Sequence, residues 1–131
     1  VEYFSRLLTL HHIRHEQDGS MFTFEDGRTL LVKTTETGGD HQLCPLSVAR
    51  GAKIVVFARL GKWPDKQDMA VKHTIEFRGF LSRNFLTGKC QIVKYRKLAE
   101  AYKVKVARLL PMSELFDWLR DCYGEDETQA A

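Results

Sequence analysis

No stretch of this 131-residue chain approaches the ~20 consecutive apolar residues of a membrane-crossing helix, and its N-terminus lacks the basic flank and apolar run of an export signal. A protein neither exported nor embedded in a bilayer, working in the cytoplasm, is the expectation. Cysteine is scarce as well. Cys44, Cys90 and Cys122 are odd in number and irregularly spaced, which excludes the disulfide framework of a small secreted domain and fits a reducing compartment. Familiar chemical signatures are also missing: there is no phosphate-binding glycine loop, no zinc-finger spacing, no RNP-type aromatic motif and no internal repeat. No catalytic residue, metal ligand or cofactor is assigned on this basis, and a non-catalytic protein is expected. The chain opens on Val1 rather than Met, which leaves room for a domain upstream.

What is present is a globular balance, 44% apolar and 28% charged residues, in a length that suits one domain able to bury a core without covalent staples. Residues 1–124 are read as a single β-rich domain and 125–131 as an acidic, disordered tail. The net charge of +3 conceals a strong partition. Residues 1–49 hold four basic and seven acidic side chains, residues 50–108 fifteen and four, and residues 109–131 one and six. The regional charges are therefore −3, +11 and −5, a basic centre between two acidic ends. A block of that sign recruits polyanions, because each phosphate neutralised by Lys or Arg releases condensed counterions.

Period-two patterns dominate until the last helix. Strands are predicted over 8–16, 21–25 and 28–34, with the turn residues Asp18-Gly19-Ser20 between the first two and Asp26-Gly27 as a two-residue hairpin between the next, forming a meander. Residues 35–47 read as a mobile loop. In 53–60 the alternation puts Ile54, Val56, Ala58 and Leu60 on one face and Lys53, Val55, Phe57 and Arg59 on an outer one. Further strands are expected over 71–78, 90–97 and 102–107, with Gly79 as a stop or bulge. After Pro111, Ser113 reads as an N-cap, and Leu115, Phe116, Trp118, Leu119, Cys122 and Tyr123 share a helical face that Gly124 ends. The fold class is mainly β: an OB-like or SH3-like antiparallel barrel, or a bent sheet, of six to seven strands with one C-terminal α-helix.

A basic β-surface carrying aromatics suits single-stranded DNA or RNA, in which cations track the backbone and rings stack on bases at roughly 1 to 3 kcal/mol each. The stacking candidates are Phe57, Trp63, Phe80, Phe85 and Tyr95. Phosphate contacts are expected from Lys53, Arg59, Lys62 and Lys72, from Arg78, Arg83 and Lys89, and from Lys94 and Arg96. Residues 79–89 combine rings and cations in one connection suited to clamping a strand. Two rivals remain. A protein-interaction adaptor would use the acidic tail or edge strands to bind a protein partner or to form a homo-oligomer. A metal-dependent enzyme would draw ligands from His11, His12, His15, His41, Cys44 and His73, but only a lone His-x-x-Cys pair has suggestive spacing.

Overall fold

The computed structural model describes residues 2–35, 39–64, 71–94 and 99–124, at residues 2, 62–64 and 71–74 by the backbone alone. It is mainly β, with a C-terminal helix, as the sequence patterns imply. The strands nonetheless form two open sheets rather than a closed barrel. The larger sheet contains β1 (Glu16–Asp18), β2 (Met21–Thr23), β3 (Thr29–Thr35), β5 (Ile54–Pro64) and β6 (Val71–Ser82), neighbours in that order. The smaller orders β4 (His41–Pro45), β8 (Glu100–Lys105) and β7 (Gln91–Lys94). All pairings are antiparallel except β3 with β5, where Leu30 to Thr35 run beside Ile54 to Arg59 in the same direction.

The reason lies in five consecutive residues. Ile54, Val55, Val56, Phe57 and Ala58 are all buried, so β5 is covered on both faces and reads as the near-continuous apolar run of a parallel-type central strand. A small barrel strand would alternate inside and outside. On one side, Ile54, Val56 and Ala58 pack with Phe22, Leu30 and Val32 against α1 (Glu2–Leu10) and α4 (Met112–Tyr123). On the other, Val55 and Phe57 pack with Leu81 against the small sheet through Cys44, Tyr102 and Val104, and against α2 (Leu46–Arg50) and α3 (Arg83–Lys89) through Ala49 and Leu86. The central sheet is thus sandwiched between two helices on one face and a second sheet with two short helices on the other. That makes eight strands and four α-helices among the described residues, against the six to seven strands and single helix predicted.

Three local devices shape this arrangement. The strand expected over 8–16 does not form: residues 8–10 end helix α1, residues 11–15 are a turn and irregular backbone, and only Glu16 enters β1. In α1 Phe4 and Leu8, one turn apart, are fully buried, and the helix ends in a Schellman cap, with the Ile13 amide donating to Leu8 O at 2.9 Å and the His12 amide to Thr9 O at 3.0 Å. His12 occupies the left-handed position, φ 59°, where glycine is usual. The turn between β2 and β3 uses three residues rather than two. Phe24 exchanges hydrogen bonds with Gly27 and Arg28, and only Gly27 (φ 85°) takes positive φ, giving a type I turn with a G1 bulge instead of type I′. In β6 the register slips beside Phe57 and Ala58, leaving Arg78 as the extra residue before Gly79. Gly79 sits at φ 144°, and a Cβ there would lie 2.5 Å from Leu110 O. That close approach lets Phe80 exchange two 3.0 Å backbone hydrogen bonds with Leu110, covering the outer edge of β6.

Two further expectations shift. The region read as a loop over 35–47 contains β4, whose Gln42 and Cys44 point inward while His41 and Leu43 stay exposed, and the start of α2. The final helix begins at Met112 with Pro111, not Ser113, at its N-cap, and Gly124 ends it without a left-handed conformation. Its buried face is Leu115, Phe116, Leu119 and Tyr123, with Trp118 and Cys122 exposed. The acidic tail lies outside the described residues. No helix among the described residues is long and apolar enough to cross a membrane.

Candidate nucleic-acid interface

Charge separates by layer. The small sheet, α2, α3 and the 3₁₀ turn Val106–Arg108 carry seven cations, Arg50, Arg83, Lys89, Lys94, Lys103, Lys105 and Arg108, against a single carboxylate, Glu100. Across the central sheet, α4 exposes Glu114, Asp117 and Asp121 around one Arg120, which donates to Asp117 and to His11 Nδ1. Seven of the fifteen cations of the 50–108 block therefore lie on the layer that covers the Val55 and Phe57 face.

Within that layer the cations form two groups. One lies where α2 and α3 meet the start of β5: the Arg83 amide donates to Lys53 O at 2.8 Å, and its guanidinium Nη1 to Arg50 O at 3.1 Å, bringing Arg50, exposed Lys53 and exposed Arg83 together. Ser82 caps α3 by accepting from the Phe85 amide at 3.2 Å. Six residues after Arg83, α3 ends at Lys89, about 9 Å along its axis at 1.5 Å per residue. There the second group begins. Alternation along β8 buries Tyr102 and Val104 and turns Lys103 and Lys105 outward, about 7 Å apart. His41 of β4 is in register with Lys105, and Gln91 of β7 with Lys103. The Val106 amide, bonded to Asp40 O at 2.8 Å, turns the chain into the 3₁₀ turn that delivers Arg108.

These residues line a cleft of about 250 Å³, walled by His41, Lys89, Cys90, Lys103, Lys105 and Arg108 with Gln91 and Val104. No carboxylate lines it, and among the described residues none of its four Lys and Arg side chains has an ion-pair partner. Burial pushes the Cys90 thiol above its ordinary value, opposed by the nearby Arg108 charge, so the thiol stays neutral at pH 7. A larger depression of about 1090 Å³, lined by Thr9, His12, Arg14, His15, Glu16 and Glu25 among others, carries charges of both signs. Size alone favours the latter, but a single-sign potential focused by concave walls is what selects an anion.

The sequence-derived candidates divide accordingly. Lys53, Arg83, Lys89 and Lys94 are exposed in this layer, and Arg59 is exposed on β5 in register with Glu76. Phe57 is 0% exposed and cannot offer a ring face to a base; the outer face assigned to it is an interior between two sheets. Phe80 and Phe85 are half-buried, packed against opposite cores. Residues 79–89 are no single connection but the end of β6 followed by α3. Arg78 is half-buried and tied inward: it donates to Gly39 O and, at 3.4 Å, to Gln42 Oε1, while Gln42 Nε2 reaches Lys33 O at 3.1 Å. The guanidinium and the buried amide together lock β4 to the central sheet. Lys62, Trp63 and Lys72 lie in β5 and β6, and their side chains, with those of His73, Tyr95 and Arg96, lie outside the described set. Lys103, Lys105, Arg108 and His41 are not among the sequence candidates for phosphate contact. The alternation of 102–107 does carry the signal for the two lysines.

No protein-family model, no curated protein and no solved structure matches the chain. Among the described residues no three His, Cys, Asp or Glu side chains are grouped to hold an ion. His11 stacks on Phe116 with centroids 4.4 Å apart, and His15 accepts or donates at both ring nitrogens, to Ser5 Oγ at 2.7 Å and Ile13 O at 2.9 Å.

Proposed function

We propose that the protein is a non-catalytic nucleic-acid-binding module, and that its contact surface is the layer formed by β4, β8, β7 and α3. The observation that carries this reading is the convergence of Lys89, Lys103, Lys105 and Arg108 in one cleft without a carboxylate, with Arg50, Lys53 and Arg83 at the other end of α3. Two cationic groups at opposite ends of α3, whose axis runs about 9 Å, suit an extended run of phosphates better than one compact anion. Unpartnered like charges repel one another, so folding alone gives no reason to collect them.

Phosphate contact takes precedence over base stacking here, because in this layer the described rings of Phe57 and Tyr102 are buried and that of Phe85 is half-buried. A single strand is the preferred form on the sequence reading, in which Trp63 and Tyr95 are stacking candidates, and a direct comparison of single-stranded and duplex oligonucleotides tests it. Fluorescence anisotropy with a labelled oligonucleotide tests the reading: affinity should fall steeply as salt rises, and K103E with K105E should reduce the salt slope by about one for each phosphate no longer neutralised. No binding at low salt would remove the proposal. Arg78 is unsuitable for this test, since reversing its charge would break the Gln42 lock.

A further inference from the structure

We infer that the cleft between α3, β4 and β8 is a site for a phosphomonoester dianion, so that the protein engages the phosphorylated end of a strand and not only its internal linkages. The identity of the carrier rests on the nucleic-acid reading; the anion site itself does not.

Three properties of the cleft lead there. The first is charge. An internal phosphodiester carries one negative charge, whereas a monoester carries about −1.5 to −2 at pH 7. Four Lys and Arg side chains facing one cavity exceed what a diester needs and match a dianion far better. The second is enclosure. The walls come from four separate segments, β4, the α3 to β7 junction, β8 and the following 3₁₀ turn. A group with one covalent exit fits such a recess, while a diester must thread two. The third is size: at about 250 Å³ the cleft is below the ~300 Å³ at which pockets begin to hold whole drug-sized ligands. It accepts a head group and leaves the rest of the ligand outside, toward the cations at the far end of α3.

Cys90 supplies a reporter, since it lines the cleft while Cys122 is exposed on α4 across the central sheet. The full chain is titrated with oligonucleotides of one sequence bearing either a terminal phosphate or a terminal hydroxyl. The phosphorylated strand should bind about tenfold more tightly or better, as expected for charge-assisted hydrogen bonds to the additional charge. Lys103→Gln with Arg108→Gln should weaken both strands but the phosphorylated one about tenfold more, so that the two then bind alike, and a preference that survives the double substitution overturns the inference. In parallel, inorganic phosphate should slow alkylation of Cys90 by iodoacetamide relative to chloride at matched ionic strength, with Cys122 unaffected. Equal affinity for the two strands overturns the inference, and salt-dependent binding of both would leave the broader nucleic-acid reading standing. If neither strand binds, that reading falls and the cleft is judged by Cys90 alone: protection sustains an anion site, and an unchanged alkylation rate ends it.

Discussion

Cys44 and Cys122 place the same thiol in opposite surroundings. Cys44 is fully buried in β4, and burial lifts its pKa to about 11 even though the Lys33 charge pulls the other way. At pH 8 a thiol reagent should therefore titrate Cys122 quickly, Cys90 slowly and Cys44 only after denaturation; rapid reaction of all three in native buffer would contradict the packing. Tyr123 and Asp26 make a second residue-scale case. The Tyr123 hydroxyl donates to both Asp26 oxygens, at 3.0 and 2.9 Å, and its ring stacks on Phe24 at 4.6 Å, fastening α4 to the turn between β2 and β3. Burial first, then the Asp26 hydrogen bond, raises the Tyr123 pKa to about 12. Its stabilising share is complete below pH 10 and fades as pH climbs toward 12. For Asp26, desolvation acts upward, but the Arg28 amide, the Tyr123 hydroxyl and the Arg28 charge outweigh it and lower the pKa below 3.8. Its share is intact above 3.8 and is lost as pH falls through the lowered value. Y123F should bring down the urea midpoint at neutral pH and flatten both the acid and the alkaline limbs of the stability profile.

At the scale of elements, two positions govern how strands and helices meet. Gly79 allows the β6 bulge to touch the Leu110 segment, so G79A must push a methyl into a carbonyl oxygen and hold a disfavoured φ. A loss of about 2 to 4 kcal/mol in chemical denaturation is expected. Phe4 anchors α1 with centroids 5.2 Å from Phe22, 5.6 Å from Phe77 and 6.0 Å from Phe116. F4A should cost about 3 to 5 kcal/mol; a loss under about 1 kcal/mol would mean that α1 is not docked as described. The same elements show what a sequence discloses. Strands β2, β3, β5, β6, β7 and β8 and helix α4 are legible from apolar β-branched and aromatic runs bounded by turn residues, or from a 3.6-residue stripe, each within a few residues of its described bounds. Helix α1 escapes such a reading because its cap uses His12 where glycine would announce a stop, and β4 because a buried Gln42 looks like a loop residue until its amide partners are known. The barrel is the wrong inference from the right strands. Only the unbroken apolar run of β5 hints that one strand lies between two layers. For the site, the excess of cations is readable, but which of them reach solvent is not: Arg78 and Arg83 look alike in sequence, yet Arg78 is half-buried against Gln42 while Arg83 is exposed.

For the molecule as a whole, charge is polarised across the central sheet, with a basic layer on one side and the acidic face of α4 on the other. Neutralising Lys103 and Lys105 to Gln relieves repulsion between unpartnered neighbours. The thermal midpoint at low salt should therefore stay level or rise slightly while oligonucleotide affinity drops. A midpoint that falls together with affinity would make these lysines part of the scaffold instead. The opposed faces also suit contact between copies, and sedimentation at low salt with and without oligonucleotide would separate self-association from nucleic-acid binding.

β4 and α2 lie in the chain between the parallel neighbours β3 and β5. The central sheet therefore cannot close until the excursion that founds the second sheet has been laid down, and Leu30 must find Ile54 across it before either layer has a floor. Folding should accordingly be slow for this size and without a half-built resting point. Far-UV circular dichroism and the unmasking of Cys44 should then report one coincident unfolding curve, and two separated midpoints would show that the layers come apart on their own.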